Sequence, residues 1–169
     1  MPITVRAAVC RAFSQPLTIE PLTLADPGPD ELRVRLVAVA ICHSDVSYAD
    51  GAWGGTLPAV YGHEAAGVVE AIGEGVDLRV GERVAVTLIR SCGTCHRCRR
   101  GQFVACTTRF PLDDLSPLTD ATGATVVQSM RTGAFADHVV VHQSQVVRLG
   151  SDMPMPAASL LACGVITGV

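Results

Sequence analysis

The alternation of apolar and polar residues predicts β-structure along most of this chain. In the run that ends at Ile41, Arg33 and Arg35 alternate with apolar residues, which predicts a strand with one solvent-exposed face. Proline and glycine-rich turns, such as Gly73-Glu74-Gly75, separate the apolar runs. The strands predicted in this way cover residues 5–9, 17–24, 32–41, 66–72, 83–88 and 135–149.

Helical patterning is scarce. Residues 44–49 are compatible with a short helix that follows Cys42, and residues 156–162 begin with a proline in a favourable first-turn position. The polar stretch at residues 111–128 predicts a surface excursion. The fold class predicted from the pattern is therefore mainly β with short helices.

Composition and charge narrow the possible partners. The 169 residues are 49% hydrophobic, which is enough to bury a core. Thirteen basic and sixteen acidic residues give a net charge of -3 with no long run of one sign, so we expect neither a nucleic acid nor a membrane partner. The N-terminus lacks the basic and apolar regions of a signal peptide, and we expect a soluble, cytoplasmic protein.

The seven cysteines require a chemical explanation. A reducing compartment disfavours structural disulfides, which leaves metal binding or catalysis as the reason for so many thiols. Four of them are closely spaced, between residues 90 and 110, and two glycines, Gly93 and Gly101, permit sharp turns among them. These four are Cys92, Cys95, Cys98 and Cys106.

Their spacing predicts a structural zinc site, because four thiolates can enclose a tetrahedral ion and leave no open position. Iron–sulfur proteins of the bacterial ferredoxin type share the first two spacings, but their fourth cysteine follows after three residues and precedes proline. Here seven residues intervene and Thr107 follows Cys106. Two disulfides or four free thiols are the remaining alternatives.

Several arginines in and near this cysteine lobe raise the alternative of a nucleic-acid-binding zinc ribbon. Ribbons separate two C-x2-C pairs by fifteen to twenty residues, and aromatic residues for base stacking are few here. We therefore predict a solvated basic edge rather than a nucleic-acid interface. The arginines are Arg90, Arg97, Arg99 and Arg100.

Cys42 and His63 lie at predicted strand ends, where polar side chains often carry function. Spacing alone cannot assemble a site from residues this far apart, and a strand-end cysteine or histidine is more often structural than a ligand. Cys10 is most simply a small buried hydrophobe, and His138 and His142 are predicted to be surface or packing residues.

Four segments occur in the order found in the zinc-containing medium-chain alcohol dehydrogenases, and the sequence resembles that family over essentially its whole length. The resemblance implies a GroES-like catalytic domain in residues 1–153 and, in residues 154–169, the start of a connection to a nucleotide-binding domain. The segments are residues 41–45 (ICHSD), 62–69 (GHEAAGVV), the cysteine lobe and 160–168 (LLACGVITG).

The resemblance, and not the spacing, implies that Cys42, His63 and Cys163 hold a catalytic zinc. Such a Cys2His set is the one known from alcohol dehydrogenases, and it leaves a fourth position for water or substrate. The expected metal content is thus two zinc ions per chain, one catalytic and one structural. The implied activity is NAD- or NADP-linked oxidation of an alcohol, or the reverse reduction.

The resemblance also suggests roles for further residues. Ser44 corresponds to a hydroxyl that relays the substrate proton, Asp45 to a carboxylate that orients His63, and Glu64 to a carboxylate that binds the metal transiently. His43 corresponds to a basic residue that faces the cofactor pyrophosphate, and Thr167 lies where the family approaches the nicotinamide. In one departure, Ser47 replaces the histidine that ends the proton relay in liver-type members.

No glycine-rich dinucleotide fingerprint occurs in the chain. In the nearest match, at Gly73 and Gly75, Leu78 occupies the third glycine slot. We expect the Rossmann domain to lie beyond Val169, the isolated chain to have little dehydrogenase activity, and the full-length enzyme to be a homo-oligomer. The alternatives are a glutathione-dependent formaldehyde dehydrogenase and a non-catalytic GroES-like zinc module.

Overall fold

The computed structural model describes residues 1–169, and ten strands form two groups. The first group is β1 (Ile3–Cys10), β2 (Thr18–Leu24), β4 (Ala59–Val60), β7 (Leu118–Thr119) and β8 (Thr125–Gln128). The second is β3 (Glu31–Ala40), β5 (Glu64–Ile72), β6 (Arg83–Val86), β9 (His138–His142) and β10 (Val146–Arg148). The first group closes a barrel in the order β1-β2-β7-β8-β4, and the second forms an open sheet in the order β10-β6-β5-β3-β9.

The helices are few and short, which confirms the prediction of a mainly β fold with short helices. They are α1 (His43–Ala49), α2 (Pro111–Asp114), α3 (Met155–Leu160) and α4 (Gly164–Gly168). None of them has the length and apolar character needed to cross a bilayer.

Alternation along the strands creates the two cores. In β1, Val5, Ala7 and Val9 are buried inside the barrel while Thr4 and Arg6 are exposed, as the two-residue period of a strand requires. The open sheet buries a second cluster on one face. Its members include Leu32, Val34, Ala65, Val69, Val84, Val86, Val139 and Val141.

The prediction of a surface excursion at residues 111–128 was correct only in part, since residues 113–115 and 121–125 are exposed. This segment contains α2, β7 and β8, and the side chains of Leu118 and Val126 are buried in the barrel core. β7 pairs with β2 and β8 pairs with β4, so the segment closes the barrel. The sequence pattern missed these strands because they are only two and four residues long.

Two further predictions need correction. The single strand predicted over residues 135–149 is in fact two strands, β9 and β10, separated by a turn at Gln143–Gln145. β9 pairs with β3, and β10 pairs with β6. The predicted exposed face of β3 holds for Arg35 but not for Arg33, which is 9% exposed. Arg33 is buried because its guanidinium forms ion pairs with Asp26 and Glu70.

Candidate metal centres

The antiparallel ladder between β3 and β5 brings Cys42 and His63 to one end of the open sheet. Ala40, the last residue of β3, pairs with Glu64, the first residue of β5. Cys42 follows β3 and His63 precedes β5, so both residues leave the ladder at the same edge. Residues far apart in sequence therefore become neighbours through strand pairing.

Cys163 reaches the same edge from the C-terminal part of the chain. Helix α3 packs against β5 through a small apolar cluster of Ala66, Met155 and Ala158. Cys163 lies shortly after this helix ends at Leu160. The packing of α3 thus delivers a third candidate ligand to Cys42 and His63.

These residues form one compact group of possible ligands. The ligand atoms of Cys42, His63, Glu64 and Cys163 all lie within 4.8 Å of one another. His63 and Glu64 are buried, and the two cysteines are half-buried. Two sulfurs and one imidazole nitrogen are a donor set that suits zinc, and the half-buried cysteines leave the group accessible to a small molecule.

Asp45 connects the segments that carry Cys42 and His63. Its Oδ2 accepts a hydrogen bond from the Cys42 N–H at 2.9 Å, and its Oδ1 accepts one from the Gly62 N–H at 3.0 Å. The same Oδ1 lies 3.3 Å from Nδ1 of His63. Because Nδ1 faces this carboxylate, Nε2 of His63 is the ring nitrogen left for a metal.

The backbone between the barrel and His63 requires glycine at residue 62. Gly62 has φ of +92°, a conformation that other residues rarely adopt, and a Cβ there would lie 2.8 Å from the backbone nitrogen of Phe135. This close approach places the Gly62 N–H against Asp45. The glycine before His63 is therefore part of the site.

Hydrogen bonds favour a thiolate at Cys42. Hydrogen bonds from Ser44 lower the pKa of Cys42. Burial raises the pKa of Cys163, and the charge of the neighbouring Cys42 raises it further. Burial opposes a charged His63, but the hydrogen bond and charge of Asp45 outweigh it and raise the pKa of His63. The pKa values of His63 and Cys163 thus both respond to the neighbouring Cys42.

The other residues predicted for this site lie at different distances from it. Ser44 is half-buried beside Cys42, and Ser47 follows it by one turn on α1. His43 is exposed at the first residue of α1. Thr167 is also exposed, and its Oγ1 lies 3.7 Å from Sγ of Cys163. The roles assigned to these four residues stay predictions.

The four lobe cysteines form the second group of possible ligands. Their sulfurs lie within 4.8 Å of one another, and the pairs Cys92–Cys98 and Cys95–Cys106 are each 3.9 Å apart. This separation is about twice a disulfide bond length, so the structure contains four free thiols rather than two disulfides. The arrangement is compatible with the predicted closed tetrahedral site.

Cys92 accepts more hydrogen bonds than the other lobe sulfurs. The Thr108 hydroxyl donates to its sulfur at 3.0 Å, the Thr94 hydroxyl at 3.6 Å and the Cys95 N–H at 3.2 Å. These bonds, led by that of Thr108, lower the pKa of Cys92 to about 5. Sequence reasoning missed Thr108, although a hydroxyl two residues after a cysteine ligand is a visible signal.

The predicted solvated basic edge is correct for three arginines and wrong for Arg90. Arg97, Arg99 and Arg100 are exposed, but Arg90 is 2% exposed. Its guanidinium donates to Oε1 of Gln145 at 2.7 Å, to Oδ1 of Asp113 at 3.1 Å and to the carbonyl of Arg131 at 3.2 Å. Arg90 precedes the lobe by two residues and therefore anchors it to the body of the protein.

The remaining candidates lie outside both ligand groups. Cys10 is fully buried in the apolar cluster beside Tyr61, as predicted. His142 packs against the ring of Phe110 with centroids 4.7 Å apart, and His138 is half-buried with Nε2 3.4 Å from Glu70. Neither histidine belongs to a ligand group.

The turn at Gly73-Glu74-Gly75, which does not match the dinucleotide-binding pattern, has a packing role. A Cβ on Gly73 would lie 1.8 Å from the carbonyl oxygen of Gly28, so only glycine fits where this turn contacts the loop before β3. A phosphate-binding loop would lead into a helix, whereas the next element after this turn is β6.

Comparisons with known proteins agree with this architecture. The sequence pattern of the family described as the alcohol dehydrogenase GroES-like domain matches residues 28–151. Alcohol dehydrogenase-like 7 of Arabidopsis thaliana is 36% identical over 183 residues, which cover 99% of this chain and 46% of that protein. An S-(hydroxymethyl)glutathione dehydrogenase of Candida maltosa is 34% identical over 175 residues, covering 99% of this chain and 46% of the relative.

Solved structures share the fold. The crystal structure of an alcohol dehydrogenase zinc-binding domain protein from Burkholderia ambifaria superposes with a TM-score of 0.91 at 34% identity, covering 99% of this chain and 48% of that one. The chain spans about half the length of the relatives that it matches.

Proposed function

Because this chain belongs to the alcohol dehydrogenase GroES-like domain family, we propose that it is the zinc-binding catalytic part of an NAD- or NADP-linked alcohol dehydrogenase. The reaction is the oxidation of an alcohol to an aldehyde or ketone, or the reverse. The convergence of Cys42, His63 and Cys163 carries the proposal, because their ligand atoms lie within 4.8 Å of one another. Alcohol dehydrogenases among the relatives support the same class of reaction.

Cys42, His63 and Cys163 would hold a catalytic zinc, and three protein ligands leave a position for substrate. A zinc ion bound there supplies Lewis acidity that makes an alcohol hydroxyl easier to deprotonate. Asp45 keeps Nδ1 of His63 occupied and thereby orients the ring. The Ser44 hydroxyl, which both donates and accepts, takes up the substrate proton, and Ser47 or water carries it outward.

The four lobe cysteines would hold a structural zinc, because four thiolates leave no position for substrate. This gives two zinc ions per chain. In this proposal the nicotinamide cofactor binds mainly to a domain outside the chain, with His43 toward its pyrophosphate and Thr167 toward its nicotinamide. Assembly into a homo-oligomer and a cytoplasmic location belong to the same proposal.

A second candidate within this chemistry is oxidation of S-hydroxymethylglutathione. The Candida maltosa relative named for that activity favours it, at 34% identity over almost the whole chain. Turnover of S-hydroxymethylglutathione by the full-length protein, compared with turnover of simple alcohols, distinguishes the two substrates. A non-catalytic zinc module would need the cysteine lobe but not the convergence of Cys42, His63 and Cys163.

Zinc content per chain tests the proposal. We expect two zinc ions in the unmodified chain, one after Cys42→Ser and one after Cys98→Ser. Cys10→Ala, which removes a buried thiol outside both groups, is the matched control and should retain two. One zinc in the unmodified chain that Cys42→Ser leaves unchanged would contradict the catalytic site and leave the lobe site standing.

A further inference from the structure

A buried carboxylate connects the two parts of the chain that carry the catalytic ligand group. Glu64 is 2% exposed, and its Oε2 accepts a hydrogen bond from the Gly164 N–H at 2.9 Å. The two residues are 100 positions apart in sequence. Each is the direct neighbour of a candidate ligand, since Glu64 follows His63 and Gly164 follows Cys163.

Glu64 is committed to this contact by its surroundings. Its carboxylate accepts a hydrogen bond from the Gly164 N–H. A buried carboxylate oxygen is costly to leave without a donor. The contact therefore stabilises the folded arrangement of both segments.

The segment around Cys163 is only partly buried: Leu161, Ala162 and Cys163 are half-buried, and the residues from Gly164 to Val169 are exposed. The buried residues of α3 end with Ala158 and Ser159, whereas Leu160 is 45% exposed. Gly164 lies so close to the carboxylate that a Cβ there would come within 3.3 Å of the Glu64 Oε2. Beyond α3, the hydrogen bond to Glu64 is therefore a long-range restraint on where Cys163 lies.

We propose that Glu64 is a positioning residue that holds Cys163 against Cys42 and His63 by accepting the Gly164 N–H. This role rests on the catalytic zinc site of the proposed function. It differs from transient metal binding in a testable way, because a tether needs only a hydrogen-bond acceptor whereas an alternative metal ligand needs the negative charge. An amide in place of the carboxylate should preserve the tether.

The experiment compares Glu64→Gln, which keeps an acceptor oxygen, with Glu64→Leu, which removes it at similar size. Glu74→Gln, at an exposed glutamate in a turn, is the matched control. Amide hydrogen exchange of Gly164, followed by NMR in the zinc-loaded and zinc-free chain, measures the tether directly. Competition with a chromophoric chelator measures zinc affinity at the Cys42 site, with the lobe zinc as an internal reference.

We expect Glu64→Leu to speed Gly164 exchange and to weaken zinc binding at the Cys42 site by about tenfold, the lower end for a residue that orients a ligand. Glu64→Gln should change the Gly164 exchange rate and the zinc affinity by less than about threefold each, because the hydrogen bond is kept. Unchanged Gly164 exchange in Glu64→Leu, or equal damage by both variants, would overturn the tether. If the unmodified chain binds no zinc at Cys42, the proposed function fails, and Gly164 exchange still decides the role of Glu64.

Discussion

The carboxylate of Asp45 lies 3.3 Å from Nδ1 of His63, and both side chains are almost fully buried. The same carboxylate accepts the N–H groups of Cys42 and Gly62. One side chain on α1 thus holds two candidate ligands in register. This preorganisation lowers the conformational cost of binding an ion.

Replacing Asp45 with asparagine should weaken zinc binding at the Cys42 site by about tenfold or more. The amide offers a single acceptor oxygen to three donors, so at least one of them loses its partner. Chelator competition measures the affinity, and Asp50→Asn at the exposed end of α1 is the matched control. Equal affinities in both variants would count against the orienting role of Asp45.

Replacing Arg90 with methionine should lower the free energy of unfolding by about 2 to 3 kcal/mol, since it removes the buried guanidinium's hydrogen bonds to Gln145 and to the Arg131 carbonyl. Asp113 keeps Arg131 as a partner, which limits the loss. Urea denaturation of the zinc-loaded chain measures the change. Arg100→Met, at an exposed lobe arginine, should stay within about 0.5 kcal/mol of the unmodified protein. If the two variants are equally stable, Arg90 does not anchor the lobe.

Replacing Thr108 with valine should accelerate zinc release from the lobe, because the hydroxyl that bonds the Cys92 sulfur is lost. We expect the rate of zinc release to increase about tenfold. This is the low end of the range for residues that support metal ligands, because Thr108 is exposed. Release is followed with a zinc-sensitive dye under excess chelator. Thr107→Val is the control, because the neighbouring hydroxyl has no sulfur contact, and it should release zinc at the unmodified rate. A rate for Thr108→Val that matches this control would contradict the prediction.

The raised pKa of Glu31 predicts that the free energy of unfolding depends on pH. Burial raises the pKa of Glu31, and the Gly28 N–H that bonds its Oε2 at 3.0 Å only partly offsets this. A raised carboxyl pKa favours the neutral form in the folded state. Its stabilising contribution is therefore fully present below the ordinary pKa of 4.5 and is lost as the pH rises through the folded-state value.

Glu31→Gln should remove this dependence, since an amide keeps an acceptor for Gly28 and carries no charge to bury. We expect the variant to be at least as stable as the unmodified chain at pH 7, and the difference between them to shrink toward pH 4. Urea denaturation at several pH values measures that difference. A difference that is constant across the pH range would show that Glu31 does not titrate with folding.

The sequence by itself determined the features that depend on neighbours in the chain. Period-two alternation located the long strands, because a strand buries every second side chain. The spacing of the cysteines from Cys92 to Cys106 predicted a four-sulfur group, because the ligands of such a lobe are close in sequence. The short strands β7 and β8 were not visible, because too few residues carry their alternation.

Only the tertiary structure decided the features that depend on distant contacts. The β3–β5 ladder and the packing of α3 bring Cys42, His63 and Cys163 together, and no local pattern encodes that convergence. Arg90 is buried, although its sequence context is polar, because Gln145 and Asp113 satisfy its charge and hydrogen bonds from elsewhere in the chain. Burial of a polar group depends on partners that folding supplies, and the sequence near that group does not reveal them.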